Sequence, residues 1–155
     1  MSPNKACPVI LRRSPGRPRI LLFQHPLAGV QLVKGTIETG ETPAQAALRE
    51  LKEESGIDSV KAVSDLGCWD AGHLDQIWSF QLCEPQAVLP DQWAHNTLDD
   101  HGHTFRFFWA PLDDLPFALC HPVFCRALVH LTDTLVEPQS SRPQIPGPFT
   151  LTPDP

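Results

Sequence analysis

Short apolar runs bounded by turn-forming residues dominate the first part of the chain. Residues 7–13 (CPVILRR) and 19–25 (RILLFQH) are separated by SPGRP, and residues 30–35 (VQLVKG) carry a further run. Runs of this length that end at Pro or Gly are typical of β-strands. We therefore predict two strands joined by a turn over the first two runs, and a third strand over residues 30–35.

Apolar and aromatic residues recur again in the middle of the chain. They cluster in residues 60–70, 75–84 and 103–112, and this pattern favours three more strands. Residues 85–102 (PQAVLPDQWAHNTLDDHG) show no convincing period. We predict a long polar loop there, and loops of such length inside a domain are usually functional or disordered.

Residues 42–56 carry the clearest helix signals. Thr42 is a favourable N-cap, Pro43 suits the first helical position, and Gln45 completes a capping box. Gly56 supplies the left-handed residue that commonly ends a helix, so its predicted role is structural. The sequence predicts a helix that begins at Pro43 and stops at Gly56.

An apolar stripe and an acidic face divide this helix. The apolar residues that share one stripe at helical spacing are Ala44, Ala47, Leu48 and Leu51. Glu50, Glu53 and Glu54 fall on the opposite side, within an arc of about 100°. Like charges three or four residues apart repel one another. Either a hard divalent cation bound by carboxylate oxygens removes this repulsion, or the face is simply solvated, and spacing alone leaves both open.

The end of the chain predicts a second helix and a tail. Residues 117–137 (FALCHPVFCRALVHLTDTLVE) are periodic, with Pro122 near the start, and residues 138–155 are rich in proline and serine. We predict one domain over residues 1–137 and a loosely ordered tail over 138–155. The 155 residues suffice for one domain with a hydrophobic core, of the α/β class.

Charge and hydropathy exclude several classes of protein. The formal net charge of −6 argues against a broad basic surface for nucleic acid. No apolar run is long enough to span a bilayer, so we expect no membrane partner. The first residues lack the hydrophobic region of a signal peptide, so we expect a cytoplasmic protein.

The five cysteines predict reduced thiols rather than a disulfide framework. Their number is odd, and most of them lie within apolar segments. Cys120, His121, Cys125 and His130 form a local cluster, but the spacing is looser than in most zinc sites. We therefore disfavour a zinc site here.

The segment from residue 35 to residue 57, GTIETGETPAQAALRELKEESGI, resembles the signature of the Nudix hydrolase superfamily. The residues that match its fixed positions are Gly35, Glu41, Arg49, Glu50, Leu51, Glu53, Glu54, Gly56 and Ile57. The resemblance implies an α/β/α sandwich with a central mixed sheet. It also implies hydrolysis of a diphosphate linkage, typically in a nucleoside diphosphate joined to another group, with Mg²⁺ or Mn²⁺ as cofactor.

The resemblance also implies roles for individual residues. The implied metal ligands are Glu50, Glu53, Glu54 and the backbone carbonyl of Gly35. Arg49 resembles the residue that orients a ligand glutamate, and Glu41 resembles a structural residue that ties the loop to the helix. Glu53, Glu54 and Arg49 are therefore our catalytic candidates within this segment.

Residues outside the segment supply further candidates. The general base is left open between the helix and a later loop, where Asp99 and Asp100 are favoured over Glu84 and His103. Two residues are candidates for substrate binding. Lys34 precedes the segment and suits a phosphate, and the alternative is a solvated lysine at the end of a strand. Trp93 suits stacking on a base or ring, and the alternative is a residue that pins the loop to the core.

The function predicted from the sequence is a metal-dependent pyrophosphohydrolase that acts on a small, nucleotide-type substrate. The alternative is a catalytically idle module of the same fold that senses a nucleotide or binds a protein. The resemblance also leaves a homodimer open. Motifs typical of particular substrate classes are missing from the chain, so the substrate itself stays undetermined.

Overall fold

The computed structural model describes residues 1–13, 16–98 and 102–140, except for the side chains of residues 136–140. Two compact units divide the chain at Cys125, and residues 1–125 contain the strands and the first helix. The strands are β1 (Lys5–Val9), β2 (Leu11–Arg12), β3 (Arg19–His25), β4 (Gly29–Gln31), β5 (Gly35–Thr36), β6 (Val60–Asp70), β7 (Ile77–Pro85), β8 (Gln92–Thr97) and β9 (His103–Pro111). The helices are α1 (Pro43–Ser55) and α2 (Pro122–Ser140), with a 3₁₀ turn at Phe117–Leu119.

The first sheet is mixed, with strand order β5-β1-β7-β6. β1 runs parallel to β7, while β5 and β6 pair antiparallel with their neighbours. β7 lies inside this sheet, and its residues from Trp78 to Gln81 are all buried. Both faces of β7 are therefore covered, including polar Ser79 and Gln81, whose side chains hydrogen-bond to each other.

The second sheet is antiparallel, with order β2-β3-β9-β8 and β4 paired with β3. Its strand β8 lies within the segment predicted as a loop, so that prediction is wrong. β8 pairs with β9 and turns Trp93, His95 and Thr97 inward, while the residues between them are exposed. Inward and exposed residues alternate along β8, but most of them are polar, and this concealed the strand pattern in the sequence.

Two other predicted strands are each split. The run 7–13 divides at Ile10, where β1 joins the mixed sheet and β2 joins the antiparallel sheet. The expected pairing across the turn is therefore made by β2 alone, with Leu11 opposite Ile20. The run 30–35 contains only the end of β4 and the start of β5, and Leu32 and Val33, two of the three residues between them, are buried.

The caps of α1 agree with the sequence prediction. The Thr42 hydroxyl accepts a hydrogen bond from the Gln45 amide, and the Gln45 side chain accepts one from the Thr42 amide. Gly56 has φ of 80°, the left-handed conformation expected of the terminating residue. α1 buries Ala46, Ala47 and Leu51.

The core joins α1 to both sheets. Leu51 packs in a cluster with the aromatic rings of Phe23, Phe105 and Phe107, whereas Ala46 and Ala47 pack against Ala6 of β1. Small side chains at this contact let α1 lie close to the mixed sheet. The predicted α/β class with a mixed sheet is confirmed, and the structure adds a separate antiparallel sheet.

The second helix begins later than the sequence predicted. The 3₁₀ turn at Phe117–Leu119 precedes an extended residue, Cys120, and α2 starts at Pro122. Proline fits the first turn because its missing N–H would have no partner there. α2 runs to Ser140, past the domain limit predicted at residue 137, and residues 141–155 of the predicted tail lie outside the described part of the chain. Among the described residues, no helix has both the length and the hydropathy needed to cross a membrane.

Candidate functional site

Arg49 ties the loop after β5 to helix α1. Its Nε and Nη2 atoms donate to the two carboxylate oxygens of Glu41 at 2.7 and 2.9 Å, and Nη2 also donates to the Thr36 carbonyl at 2.8 Å. Glu41 in turn accepts a hydrogen bond from the Glu38 amide at 2.9 Å. Hydrogen bonds from Arg49 and from the Glu38 amide lower the pKa of Glu41 to about 2. The bidentate contact between Arg49 and Glu41 fixes both the position and the orientation of the loop.

The same guanidinium reaches two glutamates on its own helix. Nη1 of Arg49 donates to Glu50 at 2.7 Å and to Glu53 at 3.3 Å. The bonds to Glu41 and Glu50 raise the pKa of Arg49 further above its ordinary value. One cation therefore offsets the repulsion among three carboxylates.

Gly35 lies directly against the carboxylate of Glu50. A Cβ atom built on Gly35 would overlap the Glu50 side chain, so any larger residue would force one of them to move. The Glu50 side chain is only 10% exposed. Glycine at this position lets the β5 backbone reach a buried carboxylate.

The acidic face of α1 is less uniform than the helical arc predicted. Glu50 is buried, Glu54 is half-buried, and Glu53 has 44% of its side chain exposed. Glu53 faces a cavity of about 590 Å³, whereas Glu54 interacts electrostatically with Lys34. Glu50 does not face solvent as Glu53 does, because the β5 backbone at Gly35 covers that part of the helix.

The cavity beside Glu53 lies between α1 and the end of β8. The residues that line it are Arg49, Lys52, Glu53, His95, Asn96, Thr97 and Leu98. The His95 ring lies close enough to Gly56 for an added Cβ there to meet Nδ1 at 2.9 Å. Sequence reasoning missed these β8 residues, and the alternation from Trp93 to Thr97 was the signal that could have found them.

The carboxylates of α1 suit a hard divalent cation by their chemistry. Carboxylate and backbone carbonyl oxygens are the ligands that Mg²⁺ prefers, and Glu50 lies beside the Gly35 backbone. Among the described residues, however, no three His, Cys, Asp or Glu side chains are arranged as a ready metal site. Arg49 holds oxygens of both Glu50 and Glu53. The donor types fit the cation, and the Arg49 contacts would share these carboxylates with it.

Lys34 lies on the Glu54 side of the helix. Its Nζ atom donates to the Gln76 side-chain carbonyl at 3.3 Å and lies 5.2 Å from the centroid of the Trp78 ring. Burial lowers the pKa of Lys34, the nearby Lys5 lowers it further, and Glu54 has the opposite effect. Gln76 was another residue that the sequence analysis missed, since nothing in the local pattern marks it.

Trp93 is held by the protein itself. Its ring stacks on Phe107 with centroids 5.1 Å apart, and its indole N–H donates to the Ser55 carbonyl at 2.9 Å. This is the structural alternative considered from the sequence, and the substrate-stacking role stays a prediction.

Two of the four general-base candidates outside α1 are among the described residues. Asp99 and Asp100 lie outside the described residues. The His103 ring is tilted against the His25 ring with centroids 4.9 Å apart, and Glu84 lines a separate cavity with Leu11 and Arg13. The structure therefore brings neither Glu84 nor His103 into the cavity beside Glu53.

All five cysteines are free thiols.

Comparisons with known proteins agree on one family. A sequence model of the NUDIX domain matches residues 3–128. An NAD-capped RNA hydrolase of Vibrio vulnificus is 33% identical over 116 residues, which are 73% of this chain and 41% of that protein. An RNA pyrophosphohydrolase of Brucella abortus is 51% identical over 101 residues, which are 56% of this chain and 57% of that protein. The chain thus spans 41% and 57% of the length of these two curated relatives.

Solved structures give the same result for the fold. The crystal structure of an ADP-ribose pyrophosphatase from Streptococcus suis superposes with a TM-score of 0.64 at 20% identity, over 97% of this chain and 99% of that one. An Ap4A hydrolase of C. elegans superposes with a TM-score of 0.56 at 21% identity, over 90% of this chain and 98% of that one. The extent of the domain match, the complete signature and the fold together establish that this chain belongs to the Nudix hydrolase family.

Proposed function

We propose that this chain hydrolyses a phosphoanhydride bond in a nucleotide, or in a nucleoside diphosphate linked to another group, with bound Mg²⁺ or Mn²⁺. The arrangement around Arg49 carries the proposal. It gathers Glu41, Glu50 and Glu53 on one guanidinium, next to a cavity that could admit a substrate. A module that only binds its ligand has no need of this complete set of carboxylates.

Each residue has a chemical task in the proposed reaction. A bound divalent cation would neutralise phosphate oxygens and lower the pKa of a coordinated water, and Glu50, Glu53, Glu54 and the Gly35 carbonyl would hold it. Arg49 orients Glu50 and Glu53 through its Nη1 atom. Lys34 adds positive charge for the substrate phosphates on the Glu54 side. A carboxylate of α1 or of the segment containing Asp99 and Asp100 takes the proton from the attacking water.

Relatives support the class of substrate rather than one compound. Two similar proteins are named as RNA-directed hydrolases, and one structural neighbour as an ADP-ribose pyrophosphatase. These names have in common a nucleotide-type compound. Because this chain has a formal charge of −6, we favour a small molecule over an RNA gripped by a broad surface. A cytoplasmic location and a homodimer remain part of the proposal.

A substrate panel with product identification tests the proposed function. Dinucleotides, nucleoside diphosphate sugars, nucleoside triphosphates and an NAD-capped RNA are incubated with Mg²⁺ or with Mn²⁺, and the products are identified by mass spectrometry. We expect turnover that Glu53→Gln abolishes and that Glu38→Gln, an exposed glutamate of the preceding loop, preserves. A rise in melting temperature with a nucleotide but no product would favour the idle module instead.

A further inference from the structure

Lys34 carries its charge in an unusual place for a lysine. The residue is only partly exposed, and its Nζ atom donates a hydrogen bond to the neutral amide oxygen of Gln76 at 3.3 Å. A neutral amide orients an ammonium group without cancelling its charge. Because the ammonium has three N–H donors, one hydrogen bond does not use its full capacity. Lys34 is therefore held in a fixed position while its positive charge remains available to an anion.

Two buried side chains provide that fixed position. Gln76 is 9% exposed, and its amide oxygen also accepts a hydrogen bond from the Trp78 indole N–H at 2.9 Å. Trp78 is fully buried, and its ring lies beneath the Lys34 ammonium as in a cation–π contact. Backbone bonds from the Gln76 amide to the His73 carbonyl and from the Ala71 amide to the Gln76 carbonyl hold the turn that carries Gln76.

A second lysine acts electrostatically on the first. Lys5 donates to the Thr36 hydroxyl at 2.7 Å, beside the Gly35 backbone, and its charge acts on Lys34. Two like charges close together are unfavourable unless an anion lies between or beside them. Glu54 and Glu50 offset part of this charge from the helix side.

We propose that Gln76 and Trp78 position the Lys34 ammonium, with Lys5 beside it, as the binding group for the diphosphate of the substrate on the Glu54 side of α1. The inference rests on the proposed function and assigns the diphosphate of the substrate to one side of α1. Gln76 and Trp78 are positioning residues that act through Lys34. A phosphate held there would lie near the carboxylates of Glu50 and Glu54, where a cation could bridge it to the protein.

Binding of methylenediphosphonate, a diphosphate that cannot be hydrolysed, measures this site without turnover. Isothermal titration calorimetry compares the wild type with Lys34→Met, Gln76→Leu and the double variant, each with and without Mg²⁺. We expect Lys34→Met to weaken binding about tenfold, Gln76→Leu about threefold, and the double variant no more than Lys34→Met alone. Gln86→Leu, an exposed glutamine of the same chemistry, should bind as the wild type does.

A second variant covers the case in which Gln76→Leu does not fold. Gln76→Glu keeps the size and the acceptor but places a carboxylate against Lys34, so diphosphonate affinity should fall while the melting temperature holds. Unchanged affinity in Gln76→Glu, or losses that add in the Lys34→Met/Gln76→Leu variant, would overturn the inference. If the wild type hydrolyses a substrate while these variants bind normally, the inference fails and the proposed function stands. If the wild type neither binds diphosphonate nor turns over any substrate, both the inference and the proposed function are wrong.

Discussion

The two flanks of α1 differ in what surrounds their carboxylates. On the Glu53 side, half-exposed Glu53 faces an open cavity together with Arg49, Lys52 and the end of β8. On the Glu54 side, half-buried Glu54 faces Lys34, which Gln76 and Trp78 hold in place. The acidic helix α1 thus borders an open cavity on one flank and a lysine held in a fixed position on the other. A phosphate chain needs both, because its charge must be neutralised and a water must still reach its phosphorus.

The largest expected effect comes from removing one charge on each flank. Glu53→Gln and Glu54→Gln should each lower kcat/KM by about a hundredfold or more, the range lost with a metal ligand or general base. Steady-state kinetics with the substrate found in the panel would measure this. If only one of the two variants loses activity, the other flank has no part in the chemistry.

Arg49→Met should cost about 2 kcal/mol or more of folding free energy, since it leaves the buried Glu50 without its cation. Urea denaturation measures the loss. Arg17→Met is the matched control, because Arg17 makes one exposed ion pair with Asp113, a type worth at most about 1 kcal/mol. Equal losses in the two variants would mean that Arg49 is only a surface cation.

Gly35→Ala tests the contact between β5 and Glu50. The added methyl group overlaps the Glu50 side chain, so we expect a destabilisation of about 1–3 kcal/mol, together with weaker Mn²⁺ binding measured by electron paramagnetic resonance. Gly72→Ala adds a methyl group in open space at a left-handed residue and reports backbone strain alone. Normal Mn²⁺ affinity in Gly35→Ala would show that the Glu50 carboxylate does not need its present position.

Metal-free binding of diphosphonate sharpens the contrast between the flanks. Glu54→Gln removes the carboxylate that acts on Lys34, so affinity without metal should rise about threefold, whereas Glu53→Gln should change it less. Calorimetry at low ionic strength measures both. Equal changes would mean that the diphosphate does not distinguish the two sides.

The smallest expected effect is a change in stability at acidic pH. The pKa of Glu41 falls from its ordinary value of 4.5 to about 2 in the folded protein, so its ionised form stabilises the fold above pH 4.5. That contribution is lost as the pH falls through this window towards 2. Glu41→Gln should therefore flatten the pH dependence of the melting temperature between these values. A profile identical to that of the wild type would show that the contact with Arg49 contributes no stability.

Much of this molecule could be predicted where the signals were local. The limits of α1 follow from Thr42, Pro43 and Gly56, and β6, β7 and β9 follow from apolar runs. β8 was missed because polar residues such as His95 and Asn96 are typical of loops. This segment becomes a strand only through its pairing with β9. The division of the first run at Ile10 was also hidden, because both of its halves are apolar and only the two sheets separate them.

The sequence by itself determined the family, the capped helix and the identity of the carboxylates, since these depend on residue types at short separations. Only the tertiary structure decided that Glu50 is buried against Gly35 and that Lys34 lies over Trp78. Lys34 and Gln76 are 42 residues apart in the chain and are brought within hydrogen-bonding distance by the fold around β5 and β7. Charge, burial and hydrogen bonding depend on distance in space, and the order of residues does not specify that distance until the sheets have formed.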